Sequence, residues 1–288
     1  MTIKLFIICL ALLSRHYQDH ESVTYQMHGV NQGHLRTISY DARADGLVKI
    51  GANQTFYEEF AWSDLRVNNQ PFALSLASQQ FREDLSLSPD YRLSVPDLSK
   101  VQPILIGPIT DLLAFYADVQ LSMHQPTLTH AGDHILVKHG TPTSWADGTY
   151  VVFAQDSVDF DITLESIDPS TQVAKILVRH LPPTEGQIKF PAPWMLTPVG
   201  ASPNNWVEVE KNGSGKFTAE VGRETFQVEI KLSLSTGRIL SASMDNPVEV
   251  LERDCDDSAL TVCTPPTRYT IKREINLEAQ PTPTADRR

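Results

Sequence analysis

Basic charge is scarce in this chain, and catalytic signatures are scarcer. Its 288 residues carry 24 Lys and Arg against 35 Asp and Glu, a net charge of −11. A nucleic-acid binder needs a basic footprint to displace counterions, and docking on anionic lipid needs polybasic clusters; the balance argues against both. Cysteine occurs only three times, without the Cys-x-x-Cys spacing of redox enzymes. Gly-x-Ser-x-Gly, the strained turn that presents a nucleophilic serine, is absent. Gly213-Ser214-Gly215-Lys216 misplaces the first glycine of a phosphate loop, and Phe217 stands where Ser or Thr would hold magnesium, so it predicts a hairpin turn. What is present, 41% apolar with 20% charged residues, is the composition of a globular chain. The length suits one large β domain or two ordinary ones.

The one long apolar run is N-terminal, Leu5 to Leu13 behind Lys4. As a helix it would span about 14 Å, under half of a bilayer's hydrocarbon core, so it is no anchor. A lysine followed by a short apolar stretch is the layout of a secretory leader, with Ser14 as the nearest small residue for cleavage; the alternative is an N-terminal strand buried in the fold. Phe6, Ile7 and Ile8 lack the small residue a lipoprotein signal places before its cysteine, here Cys9. Cys255 and Cys263, eight apart around a polar turn, suit a local disulfide in an oxidising compartment, against two free thiols. The expected location is periplasmic or secreted, with no integral membrane segment after the leader.

Strand signals dominate the rest. Val158, Phe160, Ile162 and Leu164 alternate with polar residues, as do Phe226, Val228, Ile230, Leu232 and Leu234, with a turn at Gly237. Tyr269, Ile271, Ile275 and Leu277 form a last stripe. One apolar and one polar face marks an antiparallel sheet. In the first half, candidate strands fall near 22–40, 55–67, 71–83 and 86–95, with Asn68-Asn69 as a tight turn. The phase of 55–67 is ambiguous, because Phe56, Phe60 and Trp62 share parity with Glu58 and Asp64.

Between the halves the spacing predicts a helix over 108–123, opened by Gly107-Pro108. Ile109, Leu112, Leu113, Tyr116, Gln120 and Met123 make one stripe, and Phe115, Leu121 and small residues occupy most of the far side. Such a helix wants protein on most sides. It lies either in the hollow of a curved sheet or flat on an ordinary one under a loop. The proline-rich stretch 190–206, preceded by Pro182-Pro183, predicts a packed loop with Trp194 and Met195 inward. The organisation expected is a leader-like segment at 1–14, extending to about residue 22 at most. A single β-rich domain over 22–279 follows: meander 22–95, helix 108–123 and antiparallel strands 127–279. A polar, disordered tail occupies 280–288.

Candidate chemistry is sparse. Asp156, Asp159 and Asp161 lack the wrapping loop a calcium ion needs, and predict a solvated strand face. His130 and His134 flank a turn, so they lack the one-face geometry of a zinc motif, and no metal or cofactor is expected. Ser144 has no strained turn around it. Asn53-Gln54-Thr55 and Asn212-Gly213-Ser214 match the glycosylation triplet, relevant only in a eukaryotic secretory pathway. If the protein is a hydrolase, its site is assembled from distant residues, with Asp133, His134, His139, Asp147 and His180 as suspects. Arg273 shares parity with the apolar stripe of its strand, so its guanidinium needs a buried acceptor. Asp111 or Asp118 on the helix can supply one; the alternative is an acidic ligand head.

A four-strand meander, a nearly all-round apolar helix and then about seven antiparallel strands behind a leader resembles the incomplete β-barrel of bacterial lipoprotein carriers and related mycobacterial lipid-binding lipoproteins. The resemblance is one of layout over most of the chain. It implies a mainly β fold, a large curved antiparallel sheet or incomplete β-barrel with a central apolar helix, and a hollow holding acyl chains or a lipidated partner. Leu112, Tyr116, Trp194, Met195 and Arg273 are the ligand-binding candidates. The expectation is an exported, non-enzymatic binder of a hydrophobic ligand. Its rivals are a secreted hydrolase and an interaction module whose solid core holds no ligand.

Overall fold

The computed structural model describes residues 12–51, 54–140, 151–152, 158–181, 190–211 and 214–281. Ser144, Asp147, Asp156, Pro182-Pro183, Asn53 and Asn212 of the two triplets, residues 1–11 of the expected leader-like segment and the tail from 282 lie outside the described residues. The elements run β1 (Ser22–Gln32), β2 (Thr37–Ile50), β3 (Phe56–Val67), β4 (Gln70–Pro71), α1 (Leu76–Gln80), β5 (Glu83–Leu85) and α2 (Pro103–Met123). They continue with β6 (His134–Gly140), β7 (Val151–Val152), β8 (Val158–Asp168), β9 (Val173–Leu181), β10 (Trp206–Lys211), β11 (Phe217–Glu224), β12 (Phe226–Ser233), β13 (Ile239–Cys255) and β14 (Thr267–Ala279). The strands form one large antiparallel sheet that does not close. Its order is β4-β3-β2-β1-β14-β13-β12-β9-β8-β6.

The expected stripes are largely the buried ones, except that Tyr269 and Ile271 at the start of the last are only half-buried. Phe160, Ile162, Leu164, Val228, Ile230, Leu232, Ile275 and Leu277 all face one core with α2. In the meander, β1 and β2 are two strands joined by the turn at 33–36. The expected strand at 71–83 is instead β4, α1 and the start of β5, because Ser75 caps a short helix by accepting the Ser78 amide. Most of 86–95 is irregular. Asn68 and Asn69 both take positive φ, as a tight β3–β4 hairpin demands.

The ambiguous phase of β3 is resolved by a bulge. Glu58, Phe60 and Trp62 point inward and are buried. The register against β2 then shifts between Asp41 and Arg43, and Asp64 adopts a φ of 52°. The extra residue turns Asp64 to solvent and Leu65 into the core.

At β13 the sheet forks. Its first half pairs with β12 and its second half with β11, and the Thr225 amide donates to Pro247 O at the junction. Beyond β11 lie β10 and β7. This branch has its own small core of Ala192, Met195, Val207, Val209, Ala219, Val221, Leu251, Cys255 and Leu260. Met244 and Leu251 differ by an odd number of positions, so the two cores lie on opposite faces of β13. The segment 190–205 covers the second core, because Asn204 ties it into a knot: its Nδ2 donates to Met195 O and Thr197 O, each at 2.8 Å, and its Oδ1 accepts the Val199 amide. The Cys255–Cys263 disulfide closes the adjacent loop, contributing about 2–3 kcal/mol on the chain-entropy model.

Candidate functional site

By length and composition α2 could cross a membrane, yet most of it is buried inside the protein. It starts at Pro103, five residues before the expected start, so Pro108 lies inside it. Pro103 takes the favoured first-turn position, whereas Pro108 lies past the first turn and removes one ladder bond, that to the Ile104 carbonyl. Leu105, Ile109, Leu112, Leu113, Phe115, Tyr116 and Val119 are fully buried. Strands from β1 across to β8 contribute side chains to the same cluster, so the helix fills the hollow of the unclosed sheet. Burying those side chains is worth on the order of 10–20 kcal/mol before conformational entropy is charged.

Polar tethers fix the helix to the walls. Asp111, 1% exposed, accepts from the Tyr40 hydroxyl of β2 at 2.5 Å and pairs with the Arg273 guanidinium of β14. Tyr116 donates to Glu58 of β3, whose other oxygen lies 2.9 Å from Arg15 Nη2. Asp118 accepts from His180 Nε2 at 3.0 Å, and the imidazole is held between Phe226 and Phe160. Gln120 Nε2 reaches the carbonyls of Ser86, Ser88 and Tyr91. A buried ion pair adds little net stability over an apolar pair of the same size, but it fixes one register. The tethers therefore specify where α2 sits more than they hold it there.

Burial dominates the electrostatics. It pushes the Glu58 carboxyl up against the opposing pull of Arg15 and of the Tyr116 hydroxyl. Glu83 is raised well above the usual carboxylate range by the same desolvation, against a Trp62 Nε1 donor at 3.3 Å. Its Oε1 has no hydrogen-bond partner.

The sequence-expected residues divide into separate places. Leu112, Tyr116 and Arg273 belong to the hollow, where Arg273 takes Asp111 rather than Asp118 as its acceptor. Trp194 and Met195 do not join them, because they pack in the second core on the other face of β13. Trp194 Nε1 donates to Leu260 O, and the Arg253 guanidinium lies 5.0 Å over its ring. The hydrolase suspects do not converge either. Asp133 caps its own turn through the Thr129 and His130 amides, and those bonds hold its carboxyl below the usual range. His134 pairs with Asp161 on the outer face, whereas His180 sits opposite Phe160 on the inner one. His139 is placed in β6, and Asp147 lies outside the described residues. Asp159 is buried, not solvated, and Asp161 is largely covered by His134 and Arg179. Among the described residues no group of three or more His, Cys, Asp or Glu could hold a metal ion.

Sequence reasoning missed Glu58, Arg15, Tyr40 and the Asp118–His180 pair. A signal existed for two of these. Glu58 shares parity with an aromatic stripe, and Asp118 is one of two acidic residues seven apart on an otherwise apolar helix. Both are charges in apolar phase, which need a partner. No protein-family model matches the chain, and no curated protein is significantly similar to it.

Proposed function

We propose that this is an exported, non-enzymatic protein that binds a hydrophobic ligand, an acyl chain or the lipid of a lipidated partner, in the hollow now filled by α2. The observation that carries the proposal is a helix apolar on nearly every side, lodged in an unclosed sheet by polar tethers that can exchange partners. Removing about fifteen methylenes of an acyl chain from water is worth about 12 kcal/mol. That matches the burial of part of α2, so exchange of one end of the helix for a lipid tail is energetically balanced. The apolar N-terminal run and the disulfide support export to the periplasm or the cell exterior.

When α2 is displaced from its C-terminal end back as far as Asp111, Arg273 loses that partner and becomes a cation in the wall of the hollow, suited to an acidic head. The test titrates delipidated protein with cis-parinaric acid and with its methyl ester. The cost of opening the helix is common to both probes and cancels in their affinity ratio. Saturable binding of both is expected, the acid tighter by roughly tenfold, with the preference lost in Arg273→Met. An absence of binding, together with no co-purified lipid by mass spectrometry, would contradict the proposal. It would favour the second reading, an interaction module, which the filled hollow supports.

A further inference from the structure

The segment just ahead of β1 is part of the lock on α2. Leu13 is buried in the main core and Leu12 packs against it, so Leu12 to Ser14, counted above with the leader, belong to the fold, and any leader that is removed ends before Leu12. The chain then runs from the β12–β13 turn to the start of β3. The His16 amide donates to Thr236 O in the β12–β13 turn, where a Cβ on Gly237 would run into the Ser14 carbonyl. The Arg15 side chain is 1% exposed, lies 4.3 Å over the Tyr17 ring and makes ion pairs of 2.9 Å with Glu21 and Glu58. Tyr17 stacks on Phe56, and its hydroxyl accepts the Leu87 amide at 2.8 Å and contacts Ser86 Oγ.

Two relays run from this segment to α2. One passes from Arg15 through Glu58 to Tyr116. The other passes from Tyr17 through residues 86 and 87 to the carbonyls that hold Gln120. Tyr116 and Gln120 are one helical turn apart and share a face, so both relays grip the C-terminal half of α2 at the same place.

We propose that residues 12–17 form an autoinhibitory strap whose Arg15 and Tyr17 latch the C-terminal half of α2 into the hollow. Freeing the strap strips Glu58 of its cation and Leu87 of its acceptor, and loosens that half of the helix first. The consequence for ligand rests on the function proposed above: an unlatched helix yields the hollow more readily, so apparent affinity rises with the fraction of open protein.

Hydrogen exchange of the full chain, read by mass spectrometry on Arg15→Met and on the milder Tyr17→Phe, separates the two ideas. Peptides covering 112–123 should exchange roughly tenfold faster in Arg15→Met and a few-fold faster in Tyr17→Phe, with β13 and β14 peptides unchanged. Arg43→Met, which breaks an exposed pair with Asp45, should leave all of them unchanged. Tighter cis-parinaric acid binding in the same variants supports both the strap and the ligand. Faster exchange without any probe binding supports the strap while removing the ligand. Unchanged exchange at 112–123, or acceleration spread equally over β13 and β14, overturns the strap. If Arg15→Met fails to fold, Tyr17→Phe alone decides by the same criteria.

Discussion

At the scale of single residues, the site depends on close approach. Tyr40 reaches Asp111 because its ring lies flat over Gly29, its cross-strand partner, where any Cβ would collide with the ring. Gly29→Ala should therefore destabilise the protein by about 1–3 kcal/mol and weaken the Tyr40–Asp111 tether. Gly33→Ala, with only the Arg36 carbonyl at 3.4 Å, should stay within about 0.5 kcal/mol; urea denaturation of both compares them directly. A second residue-scale device sits on the forked branch. Glu208, Glu220 and Glu252 stand side by side across β10, β11 and β13. The Tyr269 hydroxyl contacts Glu220 at 2.6 Å and Glu252 at 2.9 Å, and His34 stacks on the Tyr269 ring. One hydroxyl proton serves one of those contacts, so the other is stable when a carboxyl keeps its own proton. Burial, with Glu208 and Glu252 adding to it, pushes Glu220 up to about 7 against the Tyr269 bond. The native state then binds more protons than the unfolded chain between the ordinary carboxylate range and pH 7. Stability should fall by about 1–3 kcal/mol as pH rises through that window and level off above it. Glu220→Gln should reduce this slope in denaturation curves taken at pH 5 and pH 8, with Glu58 and Glu83, also raised by burial, keeping the remainder.

At the scale of elements, sequence patterning served where one periodicity ruled a whole segment. The strands at 158–164 and 226–234, and the core of α2, are legible because their apolar period is unbroken, and 269–277 is legible despite the one charge at Arg273. The failures have local causes. Ser75 caps a five-residue helix that an alternating stretch concealed, and the bulge at Asp64 exchanges the inward and outward faces of β3 partway along. Proline marks the start of α2, but the chain carries two, and the helix opens at Pro103 rather than at Pro108. The tethers were legible in part. Arg273 announced its need for an acid, whereas the Arg15–Glu58–Tyr116 relay joins residues far apart in the chain, and no local pattern encodes it. Trp194 and Met195 were rightly placed facing inward, but alternation along β13 does not say that the chain builds cores on both of its faces.

At the scale of the whole molecule, the sheet forks at β13 so that one arm wraps an apolar helix and the other carries a separate, stapled core. The wrapped arm is the part suited to change. Its contents are a single helix whose polar contacts each go to a different wall, so the helix can leave while the strands keep their ladders. In the proposed function α2 is a removable plug. Hydrogen exchange across the protein, with and without saturating cis-parinaric acid, tests it most directly. The account predicts faster exchange over 112–123 when the probe is bound, with β1, β13 and β14 unchanged or slower. Equal or greater protection of α2 in the bound state would contradict it, because the helix would then be a permanent part of the core.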